Sequence, residues 1–317
     1  MKYFVCICTI MTLGFSQPFT PRDMNQVIIT LDESPMHKEI ATLLKKIEKD
    51  KNNIDLVNEI LTLYTKFSKE KSDVTYMGYA KAIVLSYLKQ YPDSYSLRMH
   101  YIDILQYTNH FNEALIELKE VQRMDFKNPQ PFVIEASIYQ DRGEFDRALH
   151  ACKQLLFRGS SLLSTTCITT MQSHLGNVEQ NYQILKQTYE KSESAERSER
   201  SWALTSLADM AYRLNKKAEA TGYLNNAIGL DKNDYYARKK LSEIYIEEKK
   251  YEDVEILLAQ YRYVDALLIR LSVAQQYLNK DITLNKTTIV SQLNVLKMRN
   301  EKPHTEDIKW LKKLGIQ

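Results

Sequence analysis

PQPFVIEASIYQDRGEFDRALHACKQLLFRGSSL, residues 129–162, carries two apolar stripes at helical spacing with one glycine between them. Phe132, Ala136 and Tyr139 form the first stripe, and Phe145, Ala148, Cys152 and Leu155 form the second. The small side chains of Ala136 and Ala148 let two antiparallel helices approach closely, while the larger side chains fill the space above and below them. Gly143 supplies the permissive backbone of the turn. The stretch reads as a helical hairpin.

Outward from this unit, small residues recur at a fixed interval. Ala80, Ala114 and Ala148 stand 34 residues apart, and Ala220 and Val254 resume the interval. One hairpin cannot bury its apolar face alone, so a repeat of this length predicts a stack of hairpins. Pro92, Pro129 and Pro131 fall at unit boundaries, and no proline occurs between Phe132 and Lys302, which permits a long helical tract.

The pattern resembles the tetratricopeptide repeat (TPR) family, which places aromatics at positions 4 and 11, small residues at 8 and 20, and often proline at 32. In residues 201–234 the corresponding positions hold Leu204, Leu207, Ala208, Ala220, Leu224 and Ala227, with Lys232 where proline is usual. Residues 95–128 place Tyr101, Leu105, Phe111, Ala114, Leu118 and Val121 on the same scaffold. Residues 235–262 do so with Leu241, Tyr245, Tyr251, Val254 and Leu258. The unit at about 162–195 is the weakest, because Gly176 marks its turn one residue early and Asn181 stands where alanine is expected. An upstream unit has Leu61 and Tyr64 on its first helix and Gly78, Ala80, Val84, Leu88 and Pro92 on its second, with extra residues around SKEKSDV.

The resemblance implies an all-α, right-handed α-solenoid of about six units across residues 54–262. The strongest are 95–128, 129–162 and 201–234. YMGYAKAIV, the Cys152 and Cys167 pair, WALTSLADMAYRL and DALLIRLSVA together resemble a group of exported bacterial TPR proteins, which implies a cell-envelope location but supplies no activity.

Residues 1–16, MKYFVCICTIMTLGFS, have one lysine, an apolar run from Tyr3 to Phe15 and small residues before Gln17, the pattern of a secretory signal peptide. The run falls short of the roughly 20 apolar residues that span a bilayer. The competing reading is a buried N-terminal strand. Residues 17–53 are expected to hold an irregular lead-in with Pro18, Pro21 and Pro35, then a first helix with Ile40, Leu43, Leu44 and Ile47 on one face. Residues 263–317 are expected to be C-terminal capping helices: a hairpin from Val264–Leu278 and Lys286–Arg299, then HTEDIKWLKKLGIQ. In that last segment Glu306 and Asp307 suit the first turn, Lys312 and Lys313 the last, and Ile308, Leu311 and Leu314 make one apolar face.

Cys152 and Cys167 fall on neighbouring helices. In an oxidising compartment they could form a disulfide, and otherwise they would be two buried thiols packing as small apolar groups. A metal site from His150, Cys152, Cys167 and His174 is disfavoured, since His150 and Cys152 are two apart on one helix and point to different faces. KSESAERSERS, near residues 191–201, is the one internal stretch whose composition suggests disorder.

With 44% apolar and 26% charged residues the chain has the composition of a folded domain. A formal charge of +3, without a basic stripe, is a poor footprint for nucleic acid. HExxH, phosphate-loop, GxSxG and CxxC motifs are missing, so neither an enzyme nor a cofactor is expected.

In TPR proteins, positions 2, 5, 9, 12 and 13 of each first helix line a concave groove. The resemblance implies that Met99, Asp103, Gln106, Tyr107, Ser137, Gln140, Asp141, His174, Asp209, Tyr212, Arg213, Lys239 and Glu243 line it here. Tyr107, Tyr212 and Arg213 are the expected anchors, because aromatic and arginine side chains dominate interface energetics. The expected function is an exported, monomeric or weakly self-associating scaffold or adaptor, periplasmic or otherwise secreted, that binds a protein or peptide partner in cell-envelope assembly or complex maintenance, with no integral membrane segment after signal cleavage. The alternative is a periplasmic metal-handling accessory using Cys152 and Cys167.

Overall fold

In the computed structural model, residues 35–71, 74–298, 303 and 305–316 are described, and among them there are helices and turns but no strand. The expected signal segment and the lead-in up to residue 34 lie outside the described residues. A first helix, α1 (Pro35–Lys49), buries Ile40, Leu43 and Ile47. Hairpins follow, with first helices α2 (Ile54–Lys71), α4 (Tyr95–Tyr107), α6 (Gln130–Asp141), α8 (Ser161–Leu175), α10 (Arg197–Arg213), α12 (Tyr235–Glu247) and α14 (Asp265–Tyr277). Their second helices are α3 (Val74–Gln90), α5 (Phe111–Met124), α7 (Phe145–Gln154), α9 (Val178–Glu190), α11 (Lys217–Leu230), α13 (Tyr251–Leu258) and α15 (Thr283–Met298). A short helix, α16 (Thr305–Lys313), ends the described chain. From α1 to α15 each helix packs on the next, α16 packs on α14, and α8 on α10 and α12 on α14 also touch directly, as stacked hairpins require.

The ladder of small residues lies at the centre of this stack: Ala80, Ala114, Ala148, Ala220 and Val254 are each 0% exposed. A second ladder runs through the turns. Asn109, Gly143, Asn177, Asn215, Lys249 and Asn279 adopt left-handed backbone with φ of 58°, 71°, 54°, 61°, 59° and 56°. In five of these turns the next amide bonds back to the preceding helix, as in Glu144 N to Tyr139 O at 2.8 Å and Lys250 N to Tyr245 O at 2.8 Å. This reversed bond satisfies carbonyls that the helix end leaves open.

The weak unit keeps its register through Asn177, not Gly176. Asn177 stands 34 residues after Gly143, whereas Gly176 takes φ 137° as an added kink before it. Asn181, at the position expected for alanine, is 4% exposed and donates to Asn177 O at 3.1 Å, which satisfies its buried amide. At the turn that lacks proline, the Lys232 carbonyl accepts hydrogen bonds from Arg238 at 2.9 Å and Tyr261 at 3.0 Å. Arg98, at the same position of its own unit, donates to Pro92 O at 3.0 Å.

The KSESAERSERS stretch departs from the expected disorder. α10 begins at Arg197, and Arg200 ties the preceding turn by donating to Ser192 O at 2.7 Å and to the Tyr189 hydroxyl at 2.9 Å. Its charges read as solvated, but one guanidinium is enough to close the loop. Cys152 on α7 and Cys167 on α8 are joined by a disulfide with Cα atoms 5.3 Å apart, and both residues are 0% exposed.

Candidate functional site

Side-chain links run from one first helix to the next and mark out the face these helices share. Lys69 of α2 pairs with Asp103 of α4 at 2.8 Å, and Gln106 of α4 donates to Ser137 of α6 at 3.2 Å. Arg213 of α10 donates to the Ser173 hydroxyl and carbonyl of α8 at 3.0 and 2.6 Å. The Tyr212 hydroxyl donates to both carboxylate oxygens of Glu247 on α12 at 2.7 Å. Burial, then the Glu247 carboxylate, pushes the Tyr212 hydroxyl up to about 12.

The structure places Met99, Asp103, Gln106, Tyr107, Ser137, Gln140, Asp141, His174, Asp209, Tyr212 and Arg213 on first helices in this order along the stack. Met99, Gln106, Tyr107, Ser137 and Gln140 are partly buried, whereas Asp141, His174, Tyr212 and Arg213 are exposed. His174 stacks on Phe145 with ring centroids 4.4 Å apart. Burial against its neighbours, then the Arg213 guanidinium, lowers the imidazole below its ordinary value and favours the neutral ring. Asp209 lies 3.6 Å from Arg213 one turn away. The anchors Tyr212 and Arg213 are thus held in fixed poses by neighbouring hairpins.

Lys239 and Glu243 do not line an open groove. α16 folds over α12 and α14 and covers them. Lys239 Nζ meets Glu306 at 2.6 Å with its side chain 15% exposed, and Lys240 meets the other oxygen of Glu306 at 2.9 Å. Glu243 accepts from Trp310 Nε1 at 3.1 Å and pairs with Arg270 of α14 at 2.5 Å, its side chain 12% exposed. Arg270, fully buried, also binds Asp307. The buried face of α16 is Trp310, Leu311 and Leu314, while Ile308 is 38% exposed. Of the expected apolar face Leu311 and Leu314 are buried, and Trp310 rather than Ile308 completes it.

Sequence reasoning missed Lys69, Ser173, Glu247 and Arg270, each of which completes a pair across hairpins. Reading positions one unit at a time lists candidates but not their partners; scanning opposite charges and donors about 34 residues apart was the available signal. With both sulfurs in one bond, Cys152 and Cys167 present no thiolate to a metal, and among the described residues no group of three His, Cys, Asp or Glu side chains is arranged to hold one. Two shallow depressions of about 300 Å³ lie beside the hairpin turns, lined in one case by Leu149, Gln172, Leu175, Asn181 and Ile184, and neither contains an expected groove residue. Among the described residues, no helix is long and apolar enough to cross a membrane.

No protein-family model matches the chain, and comparison with curated proteins finds no match in sequence. Solved structures do resemble it. The human IFIT1 dimer with PPP-AAAA is 16% identical with a TM-score of 0.55, over 88% of this chain and 68% of that one. Cut9, in the APC/C hetero-tetramer Cut9-Hcn1, is 17% identical with a TM-score of 0.49 over 88% of this chain, which spans only 52% of that longer one. A tetratricopeptide repeat protein from Parabacteroides merdae is 16% identical with a TM-score of 0.45, over 81% of this chain and 98% of that one. Identities this low speak to the fold alone. The periodic core, the left-handed turns and the stacked hairpins agree with it: the chain has the fold of tetratricopeptide-repeat proteins, an all-α solenoid of stacked helical hairpins that ends in C-terminal helices.

Proposed function

We propose that this chain is an exported scaffold or adaptor that receives a protein or peptide partner on the first-helix face between α4 and α10, in assembly or maintenance of a cell-envelope complex. The carrying observation is a first-helix face on which aromatic and polar side chains are tied to neighbouring hairpins, since groups already held in place lose little entropy on binding. Tyr212, braced by Glu247, and Arg213, braced by Ser173, are the clearest cases. The mechanism is binding without chemistry.

Charge on this face is matched pair by pair, as in Lys69 with Asp103 and Arg213 with Asp209. That balance favours a peptide over nucleic acid, which calls for unpaired cations. The disulfide and the apolar run of residues 3–15 both favour an oxidising, exported setting.

The test is in-cell crosslinking and mass spectrometry of the wild type beside a Tyr107→Ala/Gln140→Ala/Tyr212→Ala variant that still melts cooperatively. A defined envelope partner captured by the wild type and reduced at least tenfold with the variant is the expected result. The same neighbours with both proteins would remove the groove from consideration, and recovery of the wild type in the cytoplasmic fraction would remove export.

A further inference from the structure

α16 is attached to the face of α12 and α14 as a ligand would be. It is nine residues long, too short to hold a helix by itself in water, so its helix forms on the surface it covers. Its contacts divide in two. The first turn is ionic, with Glu306 bound by Lys239 and Lys240 and Asp307 by Arg270. The body is mainly apolar, with Trp310 2% exposed, Leu311 5% and Leu314 2%, and it adds two contacts to Glu243, from Trp310 Nε1 at 3.1 Å and from Lys309 Nζ at 4.0 Å. At its far end Gln276 donates to Lys313 O at 3.1 Å.

The receiving face is complementary in charge. It carries the cations Lys239, Lys240 and Arg270, which Glu243 of α12 and the buried Asp265 of α14 offset only in part. Arg270 is fully buried, and a buried cation is costly unless carboxylates surround it. The face is therefore built to meet acidic groups arriving from outside the hairpin stack. None of these contacts requires that the arriving helix belong to the same chain, since all are supplied by side chains of α16 apart from the one carbonyl at its end.

We propose that the face of α12 and α14 is a docking site for a partner's amphipathic helix with an acidic first turn followed by Trp-Leu-x-x-Leu, and that α16 occupies this site in cis until such a helix displaces it. This is helix-in-groove recognition in which the chain carries a copy of its own ligand. α16 is the local gate, and its tether keeps it at high effective concentration, so only a helix of matching chemistry competes. The site is separate from the α4–α10 face proposed above, and the two succeed or fail independently.

The experiment uses the full chain with Trp202→Phe, which leaves Trp310 as the reporter, and a labelled peptide of residues 303–317 as the probe. Hydrogen exchange of the wild type should show α16 amides opening at least a hundredfold faster than those of α14. Exchange of α16 only together with α14 would make it a permanent part of the core and overturn the proposal. Full-length Glu306→Lys/Asp307→Lys, which sets lysines against Lys239, Lys240 and Arg270, should release α16, shift Trp310 emission to the red and bind the peptide at least tenfold more tightly than the wild type. Glu306→Lys alone, which keeps Asp307 and Trp310, should give a smaller gain in the same direction and guards against misfolding of the double variant. The peptide with Trp310→Ala should not bind. Equal peptide binding by wild type and both variants, with cooperative melts retained, would overturn the proposal. Conversion of the released variant to a dimer that excludes the peptide would also overturn it, by making the occupant a second copy of this chain.

Discussion

Lys249 holds φ 59° in the turn between α12 and α13, where a residue with a Cβ is strained by about 1–2 kcal/mol. Four of the equivalent turns use asparagine and one uses glycine, because a short polar side chain or none tolerates the left-handed region best. Lys249 is exposed. Lys249→Asn is therefore expected to stabilise the protein by roughly 0.5–1 kcal/mol, read as a rise in the denaturant midpoint without change of slope. A fall in the midpoint would mean that this turn obeys a different constraint. The same residues explain why the weak unit looked out of register. Glycine is the conspicuous sign of a turn, but asparagine carries the repeat, and only the backbone angles separate Asn177 from Gly176.

The hairpin of α8 and α9 has the least apolar core of the stack. Ser164, Thr166, Thr169, Thr170 and Ser173 are all buried on α8, and several of their hydroxyls turn back on the helix, as Thr169 does to Thr165 O at 2.7 Å. Such residues bury little apolar area and weaken a helix interior. The Cys152 to Cys167 bond stitches α8 to the stronger α7 across 15 residues of sequence. Closing a loop of that size stabilises by about 3 kcal/mol in the chain-entropy model. Cys152→Ala/Cys167→Ala should lower the melting temperature by about the 2–4 °C per kcal/mol expected for a domain of this size, and a reductant should lower the wild type equally while leaving the variant unmoved. No effect of reductant on the wild type would mean that the bond does not contribute. The helices themselves were legible from periodicity, including this one. The bond was not, because its formation depends on how α7 and α8 are rotated about their axes.

At the scale of the molecule, the C-terminal end is where charge and packing are most tightly joined. Asp265 opens α14 and interacts with the charge of Asp307 of α16, with Gln292 of α15 donating to it at 2.5 Å. Burial, then the Asp307 charge, raises the Asp265 carboxyl to about 6. Glu306 goes the other way: burial would raise it, but its hydrogen bonds to Lys239 and Lys240 prevail and bring it to about 2. The folded state therefore holds a proton on Asp265 that the unfolded chain releases near the ordinary value of 3.8. This group favours the closed C-terminus fully below that value and loses its contribution as pH rises through 6. Glu306 favours the closed form above the ordinary carboxylate range and loses its contribution only as pH falls through 2. Of these two carboxyls only Asp265 changes its charge between pH 7.5 and 5, so its contribution tightens docking of α16 on acidification. Hydrogen exchange of α16 should slow across that interval after correction for the intrinsic pH dependence, and Asp265→Asn should flatten the profile. A profile unchanged by Asp265→Asn would assign the effect to another group.

The sequence by itself determined the stack of hairpins, because a core of small and large apolar residues at a 34-residue period is a local, repeating requirement that each unit states again. The resemblance to the repeat family also named residues that could stand on the first-helix face. Only the tertiary structure decided which of them remain open. Lys239 and Glu243 are separated from Glu306 and Trp310 by 67 residues, and no period links them. Whether α16 turns back onto α12 depends on the burial of one tryptophan and the neutralisation of one arginine, energies that exist only once the helices are assembled.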